Sequence, residues 1–425
     1  MNSPTSSSSN KSTIRLTLVG LIALSVCLVV ASAFLTHLLE HHTAPAATAA
    51  PPTSTGIPAS ETAPPPAGQI PPWGELLTLD VELEQPEEYV AFEATTDRST
   101  TWVFTGNTLA QTRSILTQCG MPPAQLEAAL APAMVEVTSE ATTVKPSDEV
   151  VLALTPEVRA KLYVTLAQWP ANPHMANPYH LTNANFGVLS VDSDVPAASI
   201  AMVKNLTYTQ RGNQFFSDPD VVLHKIPSPE GRLHLLKMLT YQTAVLARLR
   251  LRPDSDLDKI LGYWGTVPGV HAKDLRPLLE SIKNTPDGGT LSLLYFLPAF
   301  ARERLYTSPL PFQAGDVKMD CHWSAMNFFN ATPDPRFQDN AYASAYIKDH
   351  CYQIGKPSMC GDLVFLMNSK GQVIHSAVYI ADDLVFTKNG INFAQPWILM
   401  RIPNLRGVFT FSEEPQIVYY RRKEA

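Results

Sequence analysis

The sequence predicts an α+β protein. A cysteine-bearing helix packs on an antiparallel sheet near the C-terminus, after a mixed, largely helical region, a proline-rich linker and one transmembrane helix. Three observations support this: an uncharged apolar run near the N-terminus, a proline-rich stretch after it, and three short apolar strands that follow Cys321. With 425 residues, 45% of them hydrophobic and 17% charged, the chain can bury a sizeable core.

The apolar run covers residues 16–39, "LTLVGLIALSVCLVVASAFLTHLL", and contains no acidic or basic residue apart from one histidine. About 20 such residues span a bilayer. Lys11 and Arg15 precede the run and the linker after it has neither lysine nor arginine, so residues 1–15 are expected in the cytoplasm. We expect an uncleaved signal anchor in the cell membrane, with a single pass and the C-terminal part periplasmic or extracellular. A signal peptide cleaved after Ala33 is the alternative.

The linker, residues 40–72, contains "TAPAATAAPPTSTGIPASETAPPPAGQIPP". It has too few large apolar residues to bury a core, and its prolines favour an extended polyproline conformation. We expect a spacer between the membrane and the folded part of the chain.

Residues 73–311 predict a mixed α/β accessory region of unknown role. "LTPEVRAKLYVTLAQW" has the cap, first-turn proline and acidic residue of a helix start, and "AMVEVTSEATTVKPSDEVVLAL" predicts a pair of strands. "SPEGRLHLLKMLTYQTAVLARLRLRP" predicts one helix from Ser228 that stops at Pro253. No motif with recognisable chemistry occurs in this region.

The net charge and the cysteine content argue against several classes of protein. The net charge of -7 argues against nucleic acid as a partner, because binding phosphates requires a basic face. The five cysteines are too few for a disulfide scaffold, and no Cys/His spacing fits a zinc site. We therefore expect neither metal nor cofactor. Cys351 and Cys360 could form a disulfide in an oxidising compartment.

Residues 312–425 predict the catalytic domain. "GDLVFLMNSKGQVIHSAVYIADDLVFTKNG" contains three short apolar strands joined by turn residues, which is typical of an antiparallel meander. The predicted strands are Leu363 to Met367, Val373 to Ile380 and Leu384 to Thr387. His375 lies inside the middle strand.

Cys321 opens the stretch "CHWSAMNFFN", which predicts a helix that begins just after Asp320. A cysteine in the first turn lies beside free backbone N–H groups and the positive end of the helix dipole. Both favour the reactive thiolate, and the same N–H groups can stabilise an oxyanion. His375 follows after 54 residues, so packing of the helix on the sheet can bring the two side chains together.

These residues resemble the NlpC/P60 cysteine peptidases, which have a papain-like fold. The resemblance consists of Asp320-Cys321, the strand Gly361-Asp362-Leu363-Val364-Phe365, and His375 followed by Ala377-Val378-Tyr379-Ile380. It covers roughly residues 318–389. The family has Ser-Gly after its cysteine, where this chain has His322-Trp323, and a glycine where this chain has Ala377.

The resemblance implies a third catalytic residue about a dozen positions after the histidine. That count reaches Thr387, with Lys388 and Asn389 next. The group must accept a hydrogen bond from the second ring nitrogen of His375. The Thr387 hydroxyl or the Asn389 carbonyl can do so, whereas a charged Lys388 has only donors and could instead contact an anionic substrate.

The implied activity is that of a membrane-anchored cysteine hydrolase of the cell envelope. His375 would take the proton of Cys321, and the thiolate would attack an amide carbonyl of a peptide or peptidoglycan-like substrate. Two alternatives remain: a non-catalytic envelope binding protein with a degenerate papain-like domain, and an amidase or acyltransferase acting on lipid or protein amides.

Overall fold

The computed structural model describes residues 70–91, 94, 99–182, 185, 187, 194–309, 319–390 and 395–423. All of them belong to a single compact unit, Ala59–Ala425. The predicted transmembrane segment and nearly all of the predicted linker lie outside the described residues.

The strands of the described residues form four antiparallel sheets. The strands are β1 Glu75–Leu83, β2 Trp102–Thr105, β3 Val135–Val137, β4 Ala141–Val144, β5 Tyr179–Leu181, β6 Tyr208–Gln210, β7 Asn213–Phe216, β8 Gln242–Leu251, β9 Gly289–Ser292, β10 Cys351–Ile354, β11 Leu363–Met367, β12 Val373–Ala381, β13 Leu384–Lys388, β14 Trp397–Arg401 and β15 Gln416–Arg422. Three sheets have three strands each, in the orders β1-β8-β9, β2-β4-β3 and β5-β7-β6. The fourth has six, in the order β10-β15-β11-β12-β13-β14.

Most helices are short and lie before the six-stranded sheet. The α-helices are α1 Leu109–Gln118, α2 Pro123–Ala129, α3 Asp148–Leu152, α4 Pro156–Leu166, α5 Pro173–Ala176, α6 Ala197–Leu206, α7 Pro219–Leu223, α8 Pro229–Leu239, α9 Leu257–Trp264, α10 Ala272–Lys283, α11 Ala299–Arg304, α12 Cys321–Met326, α13 Asn340–His350 and α14 Ile402–Val408. Single 3-10 turns lie at Glu87–Tyr89, Pro132–Met134, Leu293–Phe296 and Pro335–Gln338.

The six-stranded sheet is buried on both faces. On one face Phe365, Val378 and Phe386 pack in a core that includes Trp323 and Met326 of α12. On the other face the alternate residues of the same strands pack in a second core, which includes Ala244 of β8 and Leu405 of α14. Because successive residues of a strand point to opposite faces, the two cores identify which side of the sheet each side chain occupies. We call the first the helix face and the second the rear face.

The predicted fold class is wrong as stated. The region before Cys321 is not largely helical, because it carries three small antiparallel sheets, and the structure is a mixed α+β arrangement. The clearest local error is the single helix predicted from Ser228 to Pro253. Helix α8 ends at Leu239, and the chain continues as β8, which pairs along its whole length with β1. The run "AVLARLRL" alternates between buried and exposed residues, which fits a strand with one buried face.

The predicted membrane anchor is also not supported. The span at residues 16–39 lies outside the described residues, and within the described ranges no helix has both the length and the apolar character needed to cross a bilayer. The predicted single-pass location in the cell membrane is therefore not supported.

Candidate active site

Cys321 is the first residue of α12, and its position is fixed by a cap. The Asp320 carboxylate accepts a hydrogen bond from the Trp323 backbone N–H at 2.8 Å, as an N-cap residue does. The Cys321 side chain is buried, with only 6% of the residue exposed. Burial raises the pKa of the Cys321 thiol to about 12, and the Asp320 carboxylate acts in the same direction. The resting thiol is therefore neutral.

Three groups around the thiol act in the opposite direction. The backbone N–H groups of Ser376 and His322 and the cation of Lys388 each lower the pKa of Cys321. They lower it because they stabilise negative charge on the sulfur. The same groups would stabilise a thiolate during attack on a carbonyl.

Side chains from two strands, β12 and β14, hold α12 on the helix face. His322 Nδ1 lies 2.7 Å from the Ser376 hydroxyl oxygen on β12. On β14, Trp397 Nε1 donates to the Ser324 hydroxyl at 2.8 Å. The first turn of the helix is thus attached to the middle of the sheet, next to the end of β13.

Lys388 ends β13 on the same face as the thiol. It is fully buried, and its Nζ donates to the Gly390 carbonyl at 2.8 Å. Burial lowers the pKa of Lys388 to about 8, although the Asp320 carboxylate, and Cys321 whenever it is a thiolate, act to raise it. A lysine with this pKa is partly neutral near pH 8, and a neutral amine has a lone pair that can accept a proton.

His375 points to the rear face. It precedes Ser376 in β12, so the two side chains leave the strand on opposite sides. Its ring packs on Phe409, with the ring centroids 4.4 Å apart, and among the described residues no hydrogen bond joins it to Cys321. Burial lowers the pKa of His375 to about 3, with a further contribution from His322, so the imidazole is neutral.

His375, Thr387 and Asn389 form a hydrogen-bonded chain on the rear face. His375 Nε2 lies 2.7 Å from the Thr387 hydroxyl oxygen, and that hydroxyl donates to Asn389 Oδ1 at 3.2 Å. Because the Thr387 proton goes to Asn389, Nε2 of His375 must carry the proton of its own bond. Its Nδ1 is then a bare acceptor, and it is buried without a hydrogen-bond partner among the described residues. The structure thus joins three of the four predicted catalytic residues and leaves Cys321 on the opposite face.

Gly361 and Asp362, which begin the Gly-Asp-Leu-Val-Phe stretch, stabilise the turn before β11. Gly361 has φ +104, and a Cβ there would lie 2.1 Å from the Phe329 ring. The buried Asp362 carboxylate accepts from the backbone N–H groups of Ser358 and Met359, and it pairs with the Arg421 guanidinium at 2.7 Å. These contacts fix the turn that leads into β11.

Comparison of the chain with protein-family models, curated proteins and solved structures finds no match. The resemblance to NlpC/P60 peptidases therefore remains a hypothesis. In the described part of the chain no cluster of three or more metal-ligating side chains occurs, and Cys119, Cys321, Cys351 and Cys360 are free thiols.

Three residues near Cys321 were not predicted as site residues: His322, Ser376 and Lys388. The alternation of the strands indicates only that two of them lie on the face opposite His375 and Thr387. Ser376 directly follows His375, and Lys388 directly follows Thr387. The side chains of Ser376 and Lys388 therefore lie on the opposite face of the sheet. The side of the sheet that carries the cysteine helix could not be read from the alternation.

Proposed function

We propose that this protein is a cysteine-dependent hydrolase of amide bonds, with Cys321 as nucleophile and Lys388 as its proton acceptor. The observation that supports this best is the meeting of two buried groups on the helix face. A first-turn thiol lies within the field of a buried lysine, and each group shifts the pKa of the other. Burying an amine and a thiol together is costly for stability, which is the usual mark of a functional site.

The proposed reaction has two stages, acylation of Cys321 and hydrolysis of the resulting thioester. The neutral Lys388 amine takes the thiol proton as the Cys321 sulfur bonds to the acyl carbon, and the backbone N–H groups near the sulfur stabilise the developing negative charge. The carbon–nitrogen bond then breaks, and the Lys388 ammonium returns the proton to the leaving amine. The oxygen of a water molecule next bonds to the thioester carbon, and the water gives a proton to Lys388. The carbon–sulfur bond breaks, the carboxylic acid leaves, and the Lys388 ammonium returns its proton to the Cys321 sulfur.

The substrate class rests on the resemblance stated above. NlpC/P60 peptidases usually cleave the peptide stems of the bacterial cell wall, so we propose a peptide amide of that kind. His322-Trp323 replaces the small Ser-Gly pair of the family beside the nucleophile. We therefore expect the bound peptide to present a small or polar group to this position.

A second candidate is a binding protein without catalysis. It is favoured by one observation, the orientation of His375 away from the cysteine helix. A protein that had lost its catalytic pair would have no need for a buried lysine on the face of the sheet that carries the thiol. This is why we place the hydrolase first.

Alkylation of the full-length protein across pH tests the hydrolase. Iodoacetamide is added between pH 6 and 10, and peptide mapping gives a separate rate for each cysteine. Cys360 is the internal control. Burial raises the pKa of its thiol as well, the charge of the Asp362 carboxylate raises it further, and no lysine of the described residues lowers it.

The expected result is a Cys321 rate that rises through about pH 8 and exceeds the rate of Cys360 at least tenfold. Lys388→Met should remove the step near pH 8 and leave the slow, continuous increase with pH that is expected of Cys360. Lys388→Arg should also lose the step, because arginine keeps the charge but cannot accept a proton. Cell-wall stem peptides are then incubated with wild type and Cys321→Ala, and released amines are measured. Equal labelling of Cys321 and Cys360 at every pH would exclude the hydrolase.

A further inference from the structure

Strands β12 and β13 are joined by a hydrogen bond between two side chains at the point where their backbone pairing ends. Residues of β12 and β13 pair from Ala381↔Leu384 to Val378↔Phe386, and among the described residues the ladder goes no further. Thr387 and Lys388 follow the last pair. The bond from His375 to Thr387, at 2.7 Å, therefore ties this end of β13 to β12.

Lys388 lies between the two residues that continue this chain of bonds. Thr387 precedes it and Asn389 follows it, and the hydroxyl of the first donates to the amide oxygen of the second. The Asn389 amide in turn lies 3.8 Å from the Met400 sulfur on β14. The backbone on both sides of Lys388 is thus held from the rear face while its side chain occupies the helix face.

His375 is not the residue that stability alone would favour at this position. Its Nδ1 is buried with no partner among the described residues, and an unsatisfied buried acceptor costs about 1–3 kcal/mol. A leucine or phenylalanine would fill the same space against Phe409 without that cost. What the apolar residue would lack is the N–H that holds Thr387.

We infer that His375 is a positioning residue, whose Nε2–H holds Thr387 and thereby keeps Lys388 against the Cys321 thiol. The inference rests on the proposed function, and it gives His375 a role that requires no contact with the substrate. The bare Nδ1 is a consequence of this role, since the tautomer that donates to Thr387 must leave the other nitrogen unprotonated.

The test uses the alkylation rate of Cys321 across pH in the full-length protein. Two variants break the bond from different sides: His375→Ala, and Thr387→Val, which keeps the shape of the side chain and its preference for a strand. His375→Gln is the matched control, because its amide N–H can still donate to Thr387. Thermal unfolding of each variant shows that it is folded under the assay conditions.

If His375 positions Lys388, both bond-breaking variants slow the alkylation of Cys321 at pH 8 by about threefold or more, and they shift the pH profile towards that of Lys388→Met. The glutamine variant retains a profile close to wild type. The groups that face the thiol, Asp320, His322 and Lys388, are unchanged in all three variants, so a shift reports the placement of the lysine.

An unchanged profile in His375→Ala and Thr387→Val, together with a changed profile in Lys388→Met, would overturn the positioning role and leave the proposed function intact. If Lys388→Met itself leaves the profile unchanged, the proposed function fails and the positioning role fails with it. A Cys321 rate that falls in His375→Gln as far as in His375→Ala would also count against the bond to Thr387.

Discussion

His322 Nδ1 and the Ser376 hydroxyl oxygen lie 2.7 Å apart and connect the cysteine helix to β12, one of the two central strands of the six-stranded sheet. His322 is the neighbour of the proposed nucleophile, and Ser376 is the neighbour of His375. One hydrogen bond thus links the two segments from which the chemistry was predicted, although the predicted pair itself is divided between the two faces of the sheet.

This bond should contribute measurably to stability. We expect a double-mutant cycle of His322→Ala and Ser376→Ala to give a coupling free energy of about 1 kcal/mol, the usual net value of a hydrogen bond in a folded protein. Urea unfolding of the four proteins provides the measurement. Additive losses in the two single variants would mean that the contact adds nothing to the folded state.

Gly361 should be intolerant of a side chain. Its φ of +104 is unfavourable for other residues, and a Cβ would meet the Phe329 ring at 2.1 Å. We expect Gly361→Ala to destabilise the protein by about 3 kcal/mol or more, because backbone strain and overpacking add. Gly371 is the matched control: its φ is +74, but no heavy atom lies within 4 Å of the added Cβ. Equal losses in the two variants would assign the effect to backbone strain alone.

The Asp362 carboxylate should be important for stability rather than for chemistry. Asp362→Ala leaves two backbone N–H groups without their acceptor and removes the carboxylate that pairs with Arg421, and we expect a loss of about 3 kcal/mol or more. Asp258, whose carboxylate pairs with Arg276 on the surface, is the comparison, and its replacement by alanine should change stability little. Chemical unfolding compares the two variants. A larger loss at Asp258 than at Asp362 would contradict this account.

Asp218 should make stability depend on pH. It is fully buried beside Arg159 and accepts a hydrogen bond from the Tyr163 hydroxyl at 2.5 Å. Burial raises the pKa of Asp218 to about 6 from an ordinary 3.8, against the lowering effect of Arg159. The folded state therefore holds the proton more tightly than the unfolded state, so this contribution is fully present below about pH 4 and is lost as the pH rises to about 6.

Asp218→Asn should remove that part of the pH dependence. The free energy of unfolding is measured in urea between pH 4 and 7 for wild type, Asp218→Asn and the exposed control Asp254→Asn. We expect the wild type and the control to lose stability over this range more steeply than Asp218→Asn. Parallel curves for all three would show that Asp218 titrates alike in the folded and unfolded states.

Local patterns predicted the elements of the site better than their relation in space. The helix start at Cys321 and the strands at residues 363–367, 373–381 and 384–388 follow from capping, apolar runs and turn residues, all of which are local signals. The face on which His375 emerges depends on where α12 packs, and that is a long-range contact. The same limit applies to β8, where helical spacing in the sequence was overridden by pairing with β1.

The position of Lys388 shows a second limit. From the sequence, Lys388 is expected to be a permanent cation, because the ordinary pKa of lysine lies far above neutrality. Only the burial of the side chain, which no pattern in "FTKNG" indicates, makes the neutral amine accessible near pH 8.

The place of β15 in the six-stranded sheet has a consequence for synthesis of the chain. Residues 416–422 lie between β10 and β11, so these earlier strands have no backbone partner on that side until β15 arrives. On the ribosome, α12 and the strands β11 to β14 emerge well before it. We expect the nascent protein to acquire its final sheet order only once β15 has left the exit tunnel, with the edge of β11 open to mispairing until then.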